Sequence, residues 1–181
     1  MDEIDTIMQR LDFRIRESFD DGQARLSTDD TTLTRFEEAI GYQLPAEYRR
    51  FLARYGGACF HNVVADPASP DSRLSPDFVF HVNMFSGFYS DAPRRTVHDL
   101  SCGYRLWKDR LPPGLIPIAE SCDNWYCLSC AGGAAYDHVY LRMPEEFDDD
   151  SPEDFTFLIA HSFMEFVRSL RKRTNEEVDK V

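Results

Sequence analysis

A chain of 181 residues with 43% hydrophobic and 13% aromatic content is long enough to bury one real core and too short to expect two. Its formal charge of −12 and pI near 4.8 set it against nucleic acid or an anionic membrane as primary partner, since a surface of this sign is repelled by both and favours a basic partner. The opening MDEIDTIMQRLDFRIRESFD mixes acids and bases without the apolar run of a secretory signal or a membrane span, and five cysteines without an export signal read as reduced thiols, so the expectation is a soluble, cytoplasmic protein.

Ile4, Ile7, Met8, Leu11, Ile15 and Phe19 recur at helical intervals and predict a first helix over 3–19, followed by a linker rich in Asp and Thr over 20–32. The stretch FEEAIGYQLPAEYRRFLARYGG, from Phe36 to Gly57, is the most informative in the chain. Leu33, Phe36 and Ile40 form one helical stripe, Gly41 supplies a left-handed stop, and Pro45 opens a second helix. That helix lines up Tyr48, Phe51, Leu52 and Tyr55 against Arg49, Arg50 and Arg54, and ends at Gly56 and Gly57.

Residues 58–65 and 78–85 read as strands, with a loop of prolines and serines over 66–77 between them. In the second strand Phe78, Phe80, Val82 and Met84 share one side. Val97, Leu100, Tyr104 and Trp107 predict a helix over 96–107, and Leu111-Pro112-Pro113-Gly114 a turn into a strand at 115–119. Strands at 125–131 and 137–143 flank Gly132-Gly133 as an antiparallel hairpin. Ser151, Pro152 and Asp154 then match the start of a closing helix whose buried stripe is Ile159, Phe163, Phe166, Val167 and Leu170, with Lys172 and Arg173 at its C-terminal end. Helices first, strands next and a last helix make a single α+β domain with a mostly antiparallel sheet, organised as helix and linker over 1–32, domain over 33–171 and frayed tail over 172–181.

Two constellations invite a chemical reading. Cys122, Cys127 and Cys130 have a C-x4-C-x2-C spacing that a metal could use with His138, but strand parity sends Cys127 and Cys130 to opposite faces. Cys59 and His61 share a strand face as a nucleophile pair would, yet no third residue is in place to orient the imidazole. Serine-hydrolase elbows, phosphate loops, dinucleotide fingerprints and zinc-protease motifs are absent, so the sequence gives no catalytic residues, no metal site and no cofactor.

Two acidic segments are better placed for binding. Between 144 and 154 the chain carries Glu145, Glu146, Asp148, Asp149 and Asp150 with no Lys or Arg, which is either a solvated loop or a docking surface for a cationic partner. Glu120 to Trp125 reads as a loop that combines Glu120, Asp123 and Asn124 with an aromatic anchor, Trp125.

The order Ile-Gly, Leu-Pro, Tyr-Arg-x-Phe-Leu and Gly-Gly in 36–57 resembles the opening of the SUKH superfamily, which includes bacterial toxin-immunity proteins and fungal cell-wall regulators. Leu115-Ile116-Pro117-Ile118-Ala119-Glu120, Asn124-Trp125-Tyr126-Cys127-Leu128, Val139-Tyr140-Leu141 and the segment from Ile159 to Val167 are similar to its later strands and last helix. Two positions depart from the pattern: Asp123 stands where a turn glycine is usual, and Leu141-Arg142-Met143-Pro144 replaces an aromatic and acidic ending. The resemblance implies a SUKH-like domain that works by binding, as an immunity protein that neutralises a basic toxin domain such as a nuclease. A regulatory adaptor and a cysteine-dependent enzyme are the alternatives.

Overall fold

In the computed structural model the described residues are 2–16, 25–26, 28–89, 98–121, 124–143 and 155–174. The elements in chain order are α1 (Glu3–Leu11), β1 (Arg14–Ile15), α2 (Asp30–Ile40), α3 (Ala46–Tyr55), β2 (Ala58–Cys59), β3 (Val63–Ala65), β4 (Phe80–His81) and β5 (Met84–Phe85). They continue as α4 (Leu100–Trp107), β6 (Leu115–Ser121), β7 (Asn124–Ser129), β8 (Val139–Arg142), β9 (Thr156–Ala160), α5 (Phe163–Ser169) and β10 (Leu170–Lys172). Seven strands form one sheet in the order β1-β2-β5-β6-β7-β8-β9, and β10-β3-β4 form a smaller one. Every pairing within these two sheets is antiparallel, which gives the expected α+β architecture.

The helix pair is built as its punctuation dictates. Asp29 caps α2 by accepting from the Thr32 amide at 2.8 Å, and Gly41 closes it at φ 76°, where a residue with a Cβ would be strained. Leu33, Phe36 and Ile40 face inward from α2, as Tyr48, Phe51, Leu52 and Tyr55 do from α3. Gly57, at φ 82°, passes so close to Tyr89 that a Cβ there would lie 2.5 Å from the phenol oxygen. Phe51 sits at the centre of the aromatic packing, with ring centroids 4.7 Å from Phe85 and 5.1 Å from Phe163. Burying each such ring is worth roughly 1.5–3 kcal/mol, so this cluster ties the helices to the sheet.

Four predicted elements differ in extent or kind. The first helix ends at Leu11, because Asp12 turns left-handed at φ 55° and Arg14–Ile15 pairs with β2 instead of continuing the helical stripe. The strand expected over 58–65 is two strands in different sheets, with Asn62 at φ 56° between them. The strand expected over 78–85 likewise splits into β4 and β5. Phe80 and Val82 therefore reach the core while Met84 turns to the opposite face of the large sheet and Phe85 takes the inward place.

The closing helix is the largest correction. Thr156–Ala160 is a strand paired with β8, placing Phe157 and Ile159 inward by period-two alternation; Ile159 therefore belongs to a sheet and not to a helical stripe. The helix itself begins at Phe163, capped by Ser162 accepting from the Glu165 amide at 3.0 Å, while the Glu165 carboxylate accepts from the His161 amide at 2.8 Å. Leu170 and Lys172 continue as an extended strand beside β3, so Lys172 completes a ladder and not a helix terminus. Ser151, Pro152 and Asp154 lie outside the described residues.

One core unites these parts. Ile4, Ile7, Met8 and Leu11 of α1 enter it with the helix pair, α5 and the inner face of the large sheet. Asp5, buried among them, accepts from the Tyr55 hydroxyl and pairs with Arg54 at 2.9 Å.

Candidate partner-binding face

The register of the large sheet sorts its side chains into two rungs. Directly paired residues share a face, so the run Ala119, Tyr126, Leu141 and Phe157 across β6 to β9 defines one face, and all four are buried in the main core with Phe85. One residue along, Arg14, Cys59, Met84, Glu120, Trp125, Arg142 and Thr156 pair in sequence across all seven strands and define the other. This second rung is the candidate site.

The outer face is only partly covered. Trp107, at the end of α4, and Leu111, in the turn after it, close over Leu115 and the fully buried Cys127, making a small second apolar cluster. Trp107 and Trp125 meet with ring centroids 4.4 Å apart and planes tilted by 46°. Both indoles and the Tyr140 ring remain partly exposed, so the cluster presents an aromatic outer surface.

Charge is distributed along the same rung. Glu120 stands 2.9 Å from His98 Nδ1, a contact of charge that becomes an ion pair when the imidazole is protonated and is not aligned as a hydrogen bond. Arg142 is 4% exposed with its guanidinium 5.7 Å above the Phe155 ring, and burial pulls its pKa below the usual arginine value. The face therefore offers aromatic surface with an acid on one flank and a largely buried cation on the other.

The predicted site residues fall into two groups. Glu120, Asn124 and Trp125 come together, but as strand ends and not as a loop. Glu120 pairs with Trp125 and Ser121 with Asn124, because continuing the ladder satisfies backbone groups that a loop would leave to water. Asp123 and the acids Glu145, Glu146, Asp148, Asp149 and Asp150 lie outside the described residues. The sequence reading missed His98, Met84, Arg142 and Trp107. Each strand's own alternation was visible, whereas the register that lines Met84 and Arg142 up with Trp125 is a long-range choice.

Neither chemical constellation is assembled among the described residues. Cys127 lies in the outer cluster and Cys130 in the main core, on opposite sides of the sheet as parity requires, and burial pushes both thiols up to about 12. Cys59 is half-buried with its sulfur 3.8 Å from the Gly57 carbonyl, its thiol raised by burial, while His61 is exposed. His138 packs against His161 at 5.0 Å between centroids. No group of three or more His, Cys, Asp or Glu among the described residues could hold a metal ion, and no helix there is long and apolar enough to cross a membrane.

The chain is similar to several known proteins. A solved protein from Pseudomonas syringae pv. tomato is 17% identical, with a TM-score of 0.42 over 76% of this chain and 81% of that one. The SPbeta prophage-derived uncharacterized protein YokK of Bacillus subtilis (strain 168) is 31% identical over 152 residues, covering 76% of this chain and 72% of the relative. The model of the SMI1/KNR4 family (SUKH-1) matches residues 27–169, from the cap of α2 to the end of α5. The chain belongs to the SMI1/KNR4 (SUKH-1) family.

Proposed function

We propose that the protein is a non-catalytic immunity protein that neutralises a toxin by binding its toxin domain. The observation that carries this reading is the outer rung of the large sheet, where Glu120, Trp125 and Arg142 stand in register beside the exposed edges of Trp107 and Tyr140. Trp and Tyr side chains that keep an exposed edge are among the types that dominate binding energy at protein interfaces, and the buried Arg142 packs behind them. The formal charge of −12 favours a basic partner, for which a nuclease with a cationic substrate cleft is the natural example, and accelerates encounter with it. Glu145, Glu146, Asp148, Asp149 and Asp150 lie in sequence between β8 and β9, and we propose them as acidic partners for a cationic toxin domain.

Growth of cells that express the toxin domain encoded beside this gene, with and without the protein, tests the reading. Rescue with a stable co-purifying complex is the expected result, and in that complex E145K/E146K/D148K slows association and flattens its dependence on salt. A neighbour that kills equally well in the presence of soluble protein would refute the immunity role.

A further inference from the structure

The other charged feature of the fold has the opposite sign. Between α2 and α4 lies an open cleft of about 530 Å³, floored by Phe36, Ile40 and Phe88 and flanked by Arg35, Arg105 and Lys108. In a chain with 32 acids against 20 bases, three cations on one cleft are out of proportion to the whole. Among the described residues these three side chains make no hydrogen bond and no ion pair within 4 Å, although Arg105 acts at longer range on Asp99 and Arg35 on Asp29, whereas Arg49, Arg54 and Arg168 reach Asp30, Asp5 and Glu3 within 3 Å. Three basic side chains without a close carboxylate, lining one apolar-floored cleft, leave donors free for an anion that the chain itself does not supply.

The carboxylate that lines the cleft does not fill this role. Asp99 caps α4, its two oxygens accepting from the Tyr89 amide at 2.8 Å and the Cys102 amide at 2.7 Å, so it is committed to the backbone. The volume lies within the range of roughly 300–1,000 Å³ typical of small-molecule sites, and apolar walls with a few convergent polar groups are their usual chemistry.

We propose that the α2/α4 cleft is a binding site for a small amphiphilic anion, a molecule with an aromatic or aliphatic body seated on Phe36, Ile40 and Phe88 and a carboxylate, sulfonate or phosphate held by Arg35, Arg105 and Lys108. The site is independent of the proposed docking face. Trp107 turns from the same helix toward the sheet, while Tyr104, Arg105 and Lys108 line the cleft.

The test uses the full chain with two probes, 8-anilinonaphthalene-1-sulfonate followed by fluorescence and decanoate followed by amide chemical shifts, at low ionic strength. Binding is expected to saturate, with shifts confined to α2, α4 and the Phe88 region. The R105E/K108E variant, altered at two exposed positions, should lose about tenfold or more in affinity for both probes. R50E/R168E, which changes the net charge equally at distant exposed positions outside both sites, should stay within about twofold of the parent. Unchanged melting temperatures confirm that the variants compared are folded, and A39F, which crowds the cleft without altering charge, provides a second route to lost binding. Failure of either probe to saturate, equal losses in R105E/K108E and R50E/R168E, or shifts mapping to another surface would each overturn the assignment.

Discussion

Trp125 and Tyr126 are neighbours on β7 with opposite duties, and truncating each to alanine separates the two faces of the sheet. Tyr126 is fully buried, its ring packs 4.9 Å from Phe166, and its hydroxyl donates to the His81 carbonyl at 2.8 Å. Y126A therefore empties a large core position and strands an acceptor, a loss of about 3–5 kcal/mol on the scale of buried aromatic truncations. Trp125 keeps one side in solvent, and its principal ring contact is Trp107. An aromatic pair of this kind contributes about 0.5–1.5 kcal/mol beyond its area, so with partial burial W125A should cost about 1–2.5 kcal/mol. For a chain of this length that corresponds to a fall in melting temperature of roughly 2–10 °C, leaving a folded protein. Urea unfolding of both variants, followed by far-ultraviolet circular dichroism because the tryptophan signal itself is altered, measures the difference. In the toxin complex the order reverses, with W125A costing at least about 2 kcal/mol of affinity if the indole is a central anchor. A loss of stability in W125A as large as that in Y126A would make the outer face a second closed core and remove it as a docking surface.

Two further outcomes follow from buried ionisable groups. With their thiols pushed up to about 12, Cys127 and Cys130 hold roughly a thousandfold less thiolate near pH 8 than at the ordinary value of 9.0, so iodoacetamide should leave both unmodified in the native protein and label them only after denaturation; rapid native labelling seen by peptide mass spectrometry would contradict their burial. The Tyr55 hydrogen bond, with Arg54 beside it, holds the Asp5 carboxyl below its ordinary value of 3.8, so its contribution to stability is present above that value and disappears as pH falls through the depressed native pKa. D5N should accordingly destabilise the protein at neutral pH and differ progressively less from the parent below about pH 4, and a gap that widened on acidification would reverse the assigned sign.

The parts of the fold that were legible in the sequence are those fixed by near neighbours. Gly41, Pro45 and Gly57 punctuate the helix pair because backbone conformation within a turn or two decides where a helix stops, and the buried stripes of α2 and α3 follow from a period that needs no partner. The closing segment defeated the same reasoning. Ile159 is four residues before Phe163, so the two fit a helical stripe, yet pairing with β8 satisfies the backbone of 156–160 and buries Phe157 and Ile159 together. Nothing local distinguishes those solutions. The splitting of 58–65 and 78–85 has the same origin, since each short run serves two sheets and only the assembled fold shows where the chain changes allegiance. At the candidate site Trp125 and Glu120 were visible as an aromatic next to acids, whereas the rung that gives them Met84 and Arg142 as neighbours depends on three strand registers at once.

The cover on its two faces distinguishes the inner rung of the large sheet from the outer one. All five helices send side chains into the core beneath the inner face, α4 through Leu100, which is why Ala119, Tyr126 and Leu141 are almost wholly buried. Among the described residues Trp107 and Leu111 enclose Leu115 and Cys127 on the outer face, Phe155 lies over Arg142 and His98 beside Glu120, while the indole of Trp125 and the ring of Tyr140 stay partly exposed. A face finished this way is stable without a partner, because its deepest residues are covered, and still retains apolar surface whose burial by a partner would be favourable. On the binding role proposed above, stability and recognition would rest on alternate residues of the same strands, so that a substitution on the outer rung would change what is recognised while the inner rung, one residue away, keeps the fold.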